Sequence, residues 1–319
     1  MDRSKSFKLL VMIGFLAMGM IWIVFASSKS IVARQKKSLT PATVKGNPAD
    51  YVGDDSCKTC HEEQFKSYAN TAHIKLAETG EWTAVNQGCE SCHGPGKEHA
   101  EAGGDKTKIV RFSEETSKKI ADKCLTCHSG REEHNNYRRG EHWRNDVGCL
   151  ECHSLHTSAS GSQKMLTKKE PQLCISCHNE AKAQFEKPSH HKVFEGSMKC
   201  TDCHNPHGGF ESKQLRLSTG TDAACLKCHT DKQGPFVFEH APLKTEGCSI
   251  CHTPHGSANA KMLKRGDTRQ LCLECHTDIL GNGVGAPGEP TFHTAAKYQN
   301  CTVCHTKIHG SNTSNRFFR

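Results

Sequence analysis

Apolar positions are spread very unevenly along this chain. One unbroken apolar run, Leu9 to Ala26, follows a short basic stretch holding Arg3, Lys5 and Lys8. A basic flank and an apolar stretch are the pattern of an export segment. The run is long for the core of a signal and barely enough for a membrane-spanning helix. Residues 1–28 are therefore expected to be either a signal peptide, cleaved after Val24-Phe25-Ala26, or an N-terminal membrane anchor. Residues 29–53, with Pro41, Gly46 and Pro48, read as a linker that also carries the one dense basic run, Arg34 to Lys37.

Beyond the linker, apolar residues come singly or in short groups, and helices are predicted only where capping residues frame them. Asp54 or Asp55 can cap a helix carrying Cys57, Cys60, Phe65 and Tyr68. Pro171 suits the first position of a helix reaching Glu186 and stopped by Pro188. Asp267 can cap a helix running to Leu280 and closed by Gly281. No stretch alternates as a strand should, and no βαβ rhythm appears. Residues 281–290 and 158–162 read as loops, and the glycines at 281, 283 and 285 follow no strand, so they are no nucleotide-binding signal. The expected fold is short α-helices and extensive loop with little or no β-sheet.

Such a chain has too little apolar material for an ordinary core. Its hydrophobic fraction is 35% and its aromatic fraction 6%, against a usual apolar share of about 45–50%. The cysteines resolve the shortage. The motif C-x-x-C-H occurs at Cys57, Cys60 and His61; at Cys89, Cys92 and His93; at Cys124, Cys127 and His128; at Cys149, Cys152 and His153; and at Cys174, Cys177 and His178. It recurs at Cys200, Cys203 and His204; at Cys225, Cys228 and His229; at Cys248, Cys251 and His252; at Cys272, Cys275 and His276; and at Cys301, Cys304 and His305. These ten motifs consume all 20 cysteines. C-x-x-C-H is the attachment signature of c-type haem. Residues three apart share a helix face, so both thiols can reach the vinyl groups of one porphyrin while the histidine ligates its iron. Zinc ribbons, thioredoxin-like redox pairs and disulfide frameworks need no histidine after every second cysteine. Ten covalently attached c-type haems are therefore expected, and the porphyrins would supply the missing apolar bulk.

The formal charge of +8 would ordinarily raise the question of nucleic acid. Haem propionates reverse it, so basic residues are read as solvated or propionate-facing and no nucleic-acid partner is expected.

From residue 54 to 312 the motifs fall into five dihaem units, 54–123, 124–167, 168–218, 219–265 and 266–312, with a tail at 313–319. The first motifs start 67, 50, 51 and 47 residues apart, a repetition that marks a quasi-linear array. Each unit carries one histidine between its motifs and one behind the second. The inner set is His73, His142, His191 (or His190), His240 and His293, and the tail set is His99, His156, His207, His255 and His309. Each haem iron has two axial positions. The chain's 22 histidines supply ten motif ligands and these ten distal candidates, with His134 and one of His190 and His191 to spare. Methionine competes poorly, since only Met165, Met198 and Met262 follow the leader. Bis-histidine ligation throughout is expected. A tail histidine three or four residues behind a motif histidine cannot pass around its own porphyrin, so His156, His207, His255 and His309 are expected to ligate other haems.

Saturated irons leave no open position for a substrate, so no catalytic residue is expected and electron transfer is. The motif number, Ser189-His190-His191, Cys200 to Gly208 and Cys248 to Gly256 resemble the MtrA/DmsE/PioA family of periplasmic decahaem cytochromes, over residues 50–310. The resemblance implies a near-linear haem wire in the periplasm, inserted in an outer-membrane β-barrel porin. It also implies a quinol-linked periplasmic or inner-membrane cytochrome as donor, and an extracellular multihaem cytochrome or terminal reductase as the far partner. The alternatives are a soluble, anchored or filament-forming relay, and a terminal reductase with one open haem.

Overall fold

A computed structural model describes residues 47–74, 88–131, 134–156, 164–216, 222–277 and 299–318. These lie in one unit, Val44–Arg319. The expected leader, most of the linker and His293 lie outside the described residues.

C-x-x-C-H sets the local structure. In nine motifs the histidine N–H donates to the carbonyl of the first cysteine at 2.9–3.1 Å, closing one α-turn. The backbone then leaves helical space at the histidine, with φ/ψ of −114/47 at His61, −89/63 at His178 and −88/54 at His229. This exit breaks the helices that capping residues predict. The first becomes α1 (Asp54–Lys58) and α2 (Glu62–Ala69). Next in chain order come α3 (Glu90–His93), α4 (Lys97–Glu101), α5 (Ser117–His128) and α6 (Glu141–Arg144). The helix expected over 171–186 becomes α7 (Gln172–Ile175) and α8 (Asn179–Phe185), with Pro171 at the N-cap instead of the first turn. Then follow α9 (Cys200–Cys203), α10 (Ala223–Leu226), α11 (Ala241–Thr245) and α12 (Thr268–Leu273). Asp267 caps α12 through Arg269 N–H at 2.8 Å, but the helix ends at its motif, before the expected Leu280. Asp54 does not cap; Gly53 holds that position at φ 78, and the Asp54 carboxylate instead accepts from Cys89 N–H at 2.8 Å.

Among the described residues there is no strand, only isolated antiparallel bridges. Three of them, His153↔Leu166, His204↔Leu215 and His252↔Leu263, fold the end of a unit back onto its second motif. Two others, Ser189↔Ser257 and Phe238↔Ser311, join consecutive units. Buried apolar side chains are few: Ile120, Ala121, Leu125, Tyr137, Phe185 and Val193. Among the described residues one cluster forms, Ala121, Leu125 and Tyr137 with Trp143 and Cys149 against it, and it holds α5 across the boundary of the first and second units. Polypeptide alone supplies too little core for a chain of this size.

Candidate functional site

The second motif of every unit is held by its own returning loop. The ring nitrogen Nδ1 of its histidine bonds a backbone carbonyl downstream: His93 to Val110 at 2.8 Å, His153 to Lys164 at 2.7 Å, His204 to Lys213 at 3.0 Å, His252 to Lys261 at 2.8 Å and His305 to Arg316 at 2.6 Å. With a carbonyl as acceptor, Nδ1 must carry the proton, which leaves the Nε2 lone pair for a metal.

Four of these histidines, and all five first-motif histidines, face a second histidine. His61 lies opposite His99 with ring centroids 6.2 Å apart, His93 opposite His156 at 6.0 Å and His128 opposite His73 at 5.9 Å. His153 faces His207 at 6.1 Å, His178 faces His142 at 6.1 Å and His204 faces His255 at 6.0 Å. His229 faces His191 at 6.2 Å, His252 faces His309 at 6.3 Å and His276 faces His240 at 6.2 Å. The remaining motif histidine, His305, has among the described rings only Phe318 against it, at 4.8 Å. Two imidazoles bound on opposite sides of one metal, with nitrogen–metal bonds of about 2 Å, have centroids about 6 Å apart. The nine pairs therefore have the spacing that an iron between them requires.

Burial lowers the basicity of these rings. It pulls His128 and His207 down to about 4, and His73, His156, His240, His255 and His309 below the ordinary histidine range. Neutral imidazole is the form that binds metal.

The distal rings are set by the neighbouring unit. His142 Nδ1 bonds the Pro206 carbonyl at 2.9 Å, His191 Nδ1 bonds the Pro254 carbonyl at 2.6 Å, and His240 hydrogen-bonds the Ile308 backbone. Each acceptor immediately precedes the tail histidine of the next unit, and each tail histidine is followed by a glycine. Gly208, Gly256 and Gly310 have φ of 98°, 155° and 140° and press against the preceding unit. A Cβ there would stand 2.4 Å from the Asn136 carbonyl oxygen, 2.2 Å from that of Gln184 and 2.0 Å from the Phe236 ring. Histidine and glycine thus dock together, the glycine making room for the approach that aims the ring.

The cysteines form a continuous series. Within each unit the two leading cysteine side chains meet: Cys57 with Cys89, Cys124 with Cys149, Cys174 with Cys200, Cys225 with Cys248 and Cys272 with Cys301. Between units Cys92 interacts with Cys124, Cys152 with Cys177, Cys203 with Cys225 and Cys251 with Cys275. No step in motif order is skipped. In three units a carboxylate joins the contact, so that Asp54, Cys57 and Cys89, Glu170, Cys174 and Cys200, and Asp222, Cys225 and Cys248 each place their ligand atoms within 4.8 Å of one another. These are not ion sites, because both thiols are haem-attachment atoms. The carboxylates lock one motif to the next instead: Asp222 accepts from Cys248 N–H at 2.8 Å, and Glu170 from Thr201 N–H at 3.2 Å.

Comparison with known proteins also finds the motifs in pairs, each matched pair joining the second motif of one unit to the first motif of the next. A family described as "Doubled CXXCH motif" matches residues 142–183, 190–234 and 240–280, and one described as "Cytochrome c554 and c-prime" matches 56–87 and 96–154. Over 276 residues, 82% of this chain and 79% of the relative, the sequence is 36% identical to multiheme cytochrome MtrA of Shewanella baltica (strain OS185). The chain belongs to the MtrA family of multihaem c-type cytochromes. It is also 27% identical to cytochrome c-554 of Nitrosomonas europaea over 176 residues, 52% of this chain and 65% of that protein. The family fixes the chemistry of the motifs, which bind c-type haem covalently and serve electron transfer. The structure agrees with it: none of the 20 cysteines is in a disulfide, and the histidines come in pairs at metal spacing.

Two spare histidines are also placed. His190 bonds the Glu195 carboxylate at 2.9 Å through Nε2, so its neighbour His191 is the one aimed at a motif histidine. His134 packs 4.5 Å from His207 and 5.4 Å from His128. Sequence reasoning missed the returning loops. They are written as a repeat, Lys164-Met165-Leu166, Lys213-Gln214-Leu215 and Lys261-Met262-Leu263, whose middle residues have φ of 53°, 55° and 55°. Motif-by-motif alignment of the units would have exposed it.

Proposed function

We propose that this cytochrome carries ten haems, one on each C-x-x-C-H motif, with every iron held between two imidazoles. The observation that carries the reading is the facing of nine motif histidines by nine others at 5.9–6.3 Å. His293, the last inner histidine, falls to His305 by remainder. The pairs then follow one rule. A tail histidine serves the second haem of the unit before it, and an inner histidine serves the first haem of the unit after it. At the ends, where no neighbour exists, His99 serves His61's haem and His293 serves His305's. Every junction is thus crossed twice, in opposite directions, and the five units 54–123, 124–167, 168–218, 219–265 and 266–312 are modules of a single interlaced array.

An array with no open iron position is an electron carrier and not a reductase. The bound haems supply one-electron chemistry, and the chain holds, orients and spaces them. The unbroken cysteine series supports transfer in motif order from Cys57 to Cys304. Bis-histidine ligation favours lower potentials than His/Met ligation. Among the described residues no helix is long and apolar enough to cross a membrane. On the likeness to its family, the chain is exported through its N-terminal segment and works in the periplasm, as the wire of an outer-membrane complex enclosed by a β-barrel porin. It accepts electrons from, or returns them to, a quinol-linked cytochrome on the inner side and an extracellular multihaem cytochrome or terminal reductase on the outer side.

Isolation of outer membranes tests the location, since the cytochrome should co-purify with a barrel. Reconstitution of that complex in liposomes loaded with a redox dye should then show dye reduction by an external donor. Recovery of the protein only in soluble periplasm or inner membrane contradicts the conduit and points to a relay.

A further inference from the structure

The axial histidines differ in one chemical respect. A ring whose Nδ1–H donates to an acceptor is a more basic ligand, and a more basic ligand favours the oxidised iron. Eight of the nine facing pairs have such a bond on at least one ring. His93, His153, His204 and His252 are held by their own loops, and His99, His142, His191 and His240 by backbone acceptors at their distal positions. The exception is His73 opposite His128. Both Nδ1 atoms are buried, and neither has a hydrogen-bond partner. The same pair has the largest angle between ring planes, 66°, where the other eight range from 8° to 57°.

Resting on the ligation proposed above, we infer that His73 and His128 give the haem attached at Cys124 and Cys127 the most positive reduction potential in the chain, making it the station where an electron rests longest. The surroundings act in the same direction. Burial disfavours positive charge on both rings most, His134 and His73 add to it at His128, and exposed Arg131, three residues behind His128, acts in the same direction on both. A cation near the iron favours its reduced form in the same way. This haem sits at the junction of the first and second units.

The test is an EPR-monitored redox titration of the full-length holoprotein. Near-perpendicular imidazole planes bring the iron's two π-type d orbitals close in energy and spread its g-values, so the Cys124–Cys127 haem should give the most anisotropic low-spin signal. That signal should be the first lost on reduction. Arg131→Glu should raise its oxidised-to-reduced ratio about tenfold at fixed ambient potential, equal to about 59 mV, and leave the other signals in place. Arg131→Lys should keep the original midpoint. If the most anisotropic signal titrates in the middle or lower part of the set, or ignores Arg131→Glu, the inference is wrong. Haem counting and the absence of high-spin signal are read on the same sample, so failure of the ten-haem, bis-histidine reading would be seen separately.

Discussion

The junction between the first two units and the three that follow are spanned by the same pair of histidines but held differently. At the later junctions the inner histidine is fixed by the carbonyl just before the next tail histidine, as His191 is by Pro254. A glycine behind that tail histidine lets the units approach to backbone contact. At the first junction His73 has no such acceptor. The later junctions therefore specify ligand direction twice, by tether and by hydrogen bond, and the first only once. Periodic sequence produces periodic clamps, and the one aperiodic spacing, 67 residues, coincides with the missing clamp. Ligand geometry is thus a property of the junction and not of the motif.

The largest effect that would separate the two kinds of junction comes from removing a distal ring. His191→Ala should leave one haem in ten high-spin and able to bind carbon monoxide, with the neighbouring spectrum unchanged because His142 and His240 keep their clamps. Optical and EPR spectra of the ferric protein, with and without carbon monoxide after reduction, read this directly.

Next comes the clamp itself. Gly256→Val places a side chain on the Gln184 carbonyl at a left-handed backbone position, where strain alone costs about 1–2 kcal/mol. The clash adds to it, so the total should exceed about 2 kcal/mol and lower the Soret-monitored melting temperature. Gly196→Ala, also at positive φ but with nothing within 4 Å, should show only the strain. Equal losses at the two glycines would show that the junction is not tightly docked.

A smaller effect is expected at the carboxylate lock. Asp222→Ala removes the acceptor of Cys248 N–H and should cost about 1–2 kcal/mol, while Asp222→Asn keeps the acceptor and most of the stability. Denaturant titrations of the three proteins measure the difference. Smallest of all is His190→Gln, which breaks contacts with exposed Glu195, with Lys192 and with the Lys187 carbonyl but none with a motif histidine. Its spectra and potentials should match the parent, and any high-spin signal would reassign the ligand from His191 to His190.

Much of this was legible in the sequence because covalent haem attachment leaves so little freedom. C-x-x-C-H prescribes a turn, and ten repeats prescribe the array. The short tether between His252 and His255 already excludes a shared iron. What the sequence hid was longer in range. Helices expected to run through Cys60 and Cys177 break because the ligating histidine leaves helical space, which propensity does not register. The Nδ1 acceptors are backbone carbonyls, such as those of Pro206 and Lys261, and a carbonyl has no residue code. Asp54 reads as a cap yet bonds Cys89, 35 residues away, because tertiary demand outcompetes the local one.

The central claim is that every iron is closed by a second histidine. Quantitative EPR of the fully oxidised, full-length protein, integrated against the haem count per chain, tests it most directly. The account predicts ten haems and only low-spin signals. A high-spin signal amounting to one haem or more would contradict it and show an array with an open, reactive end.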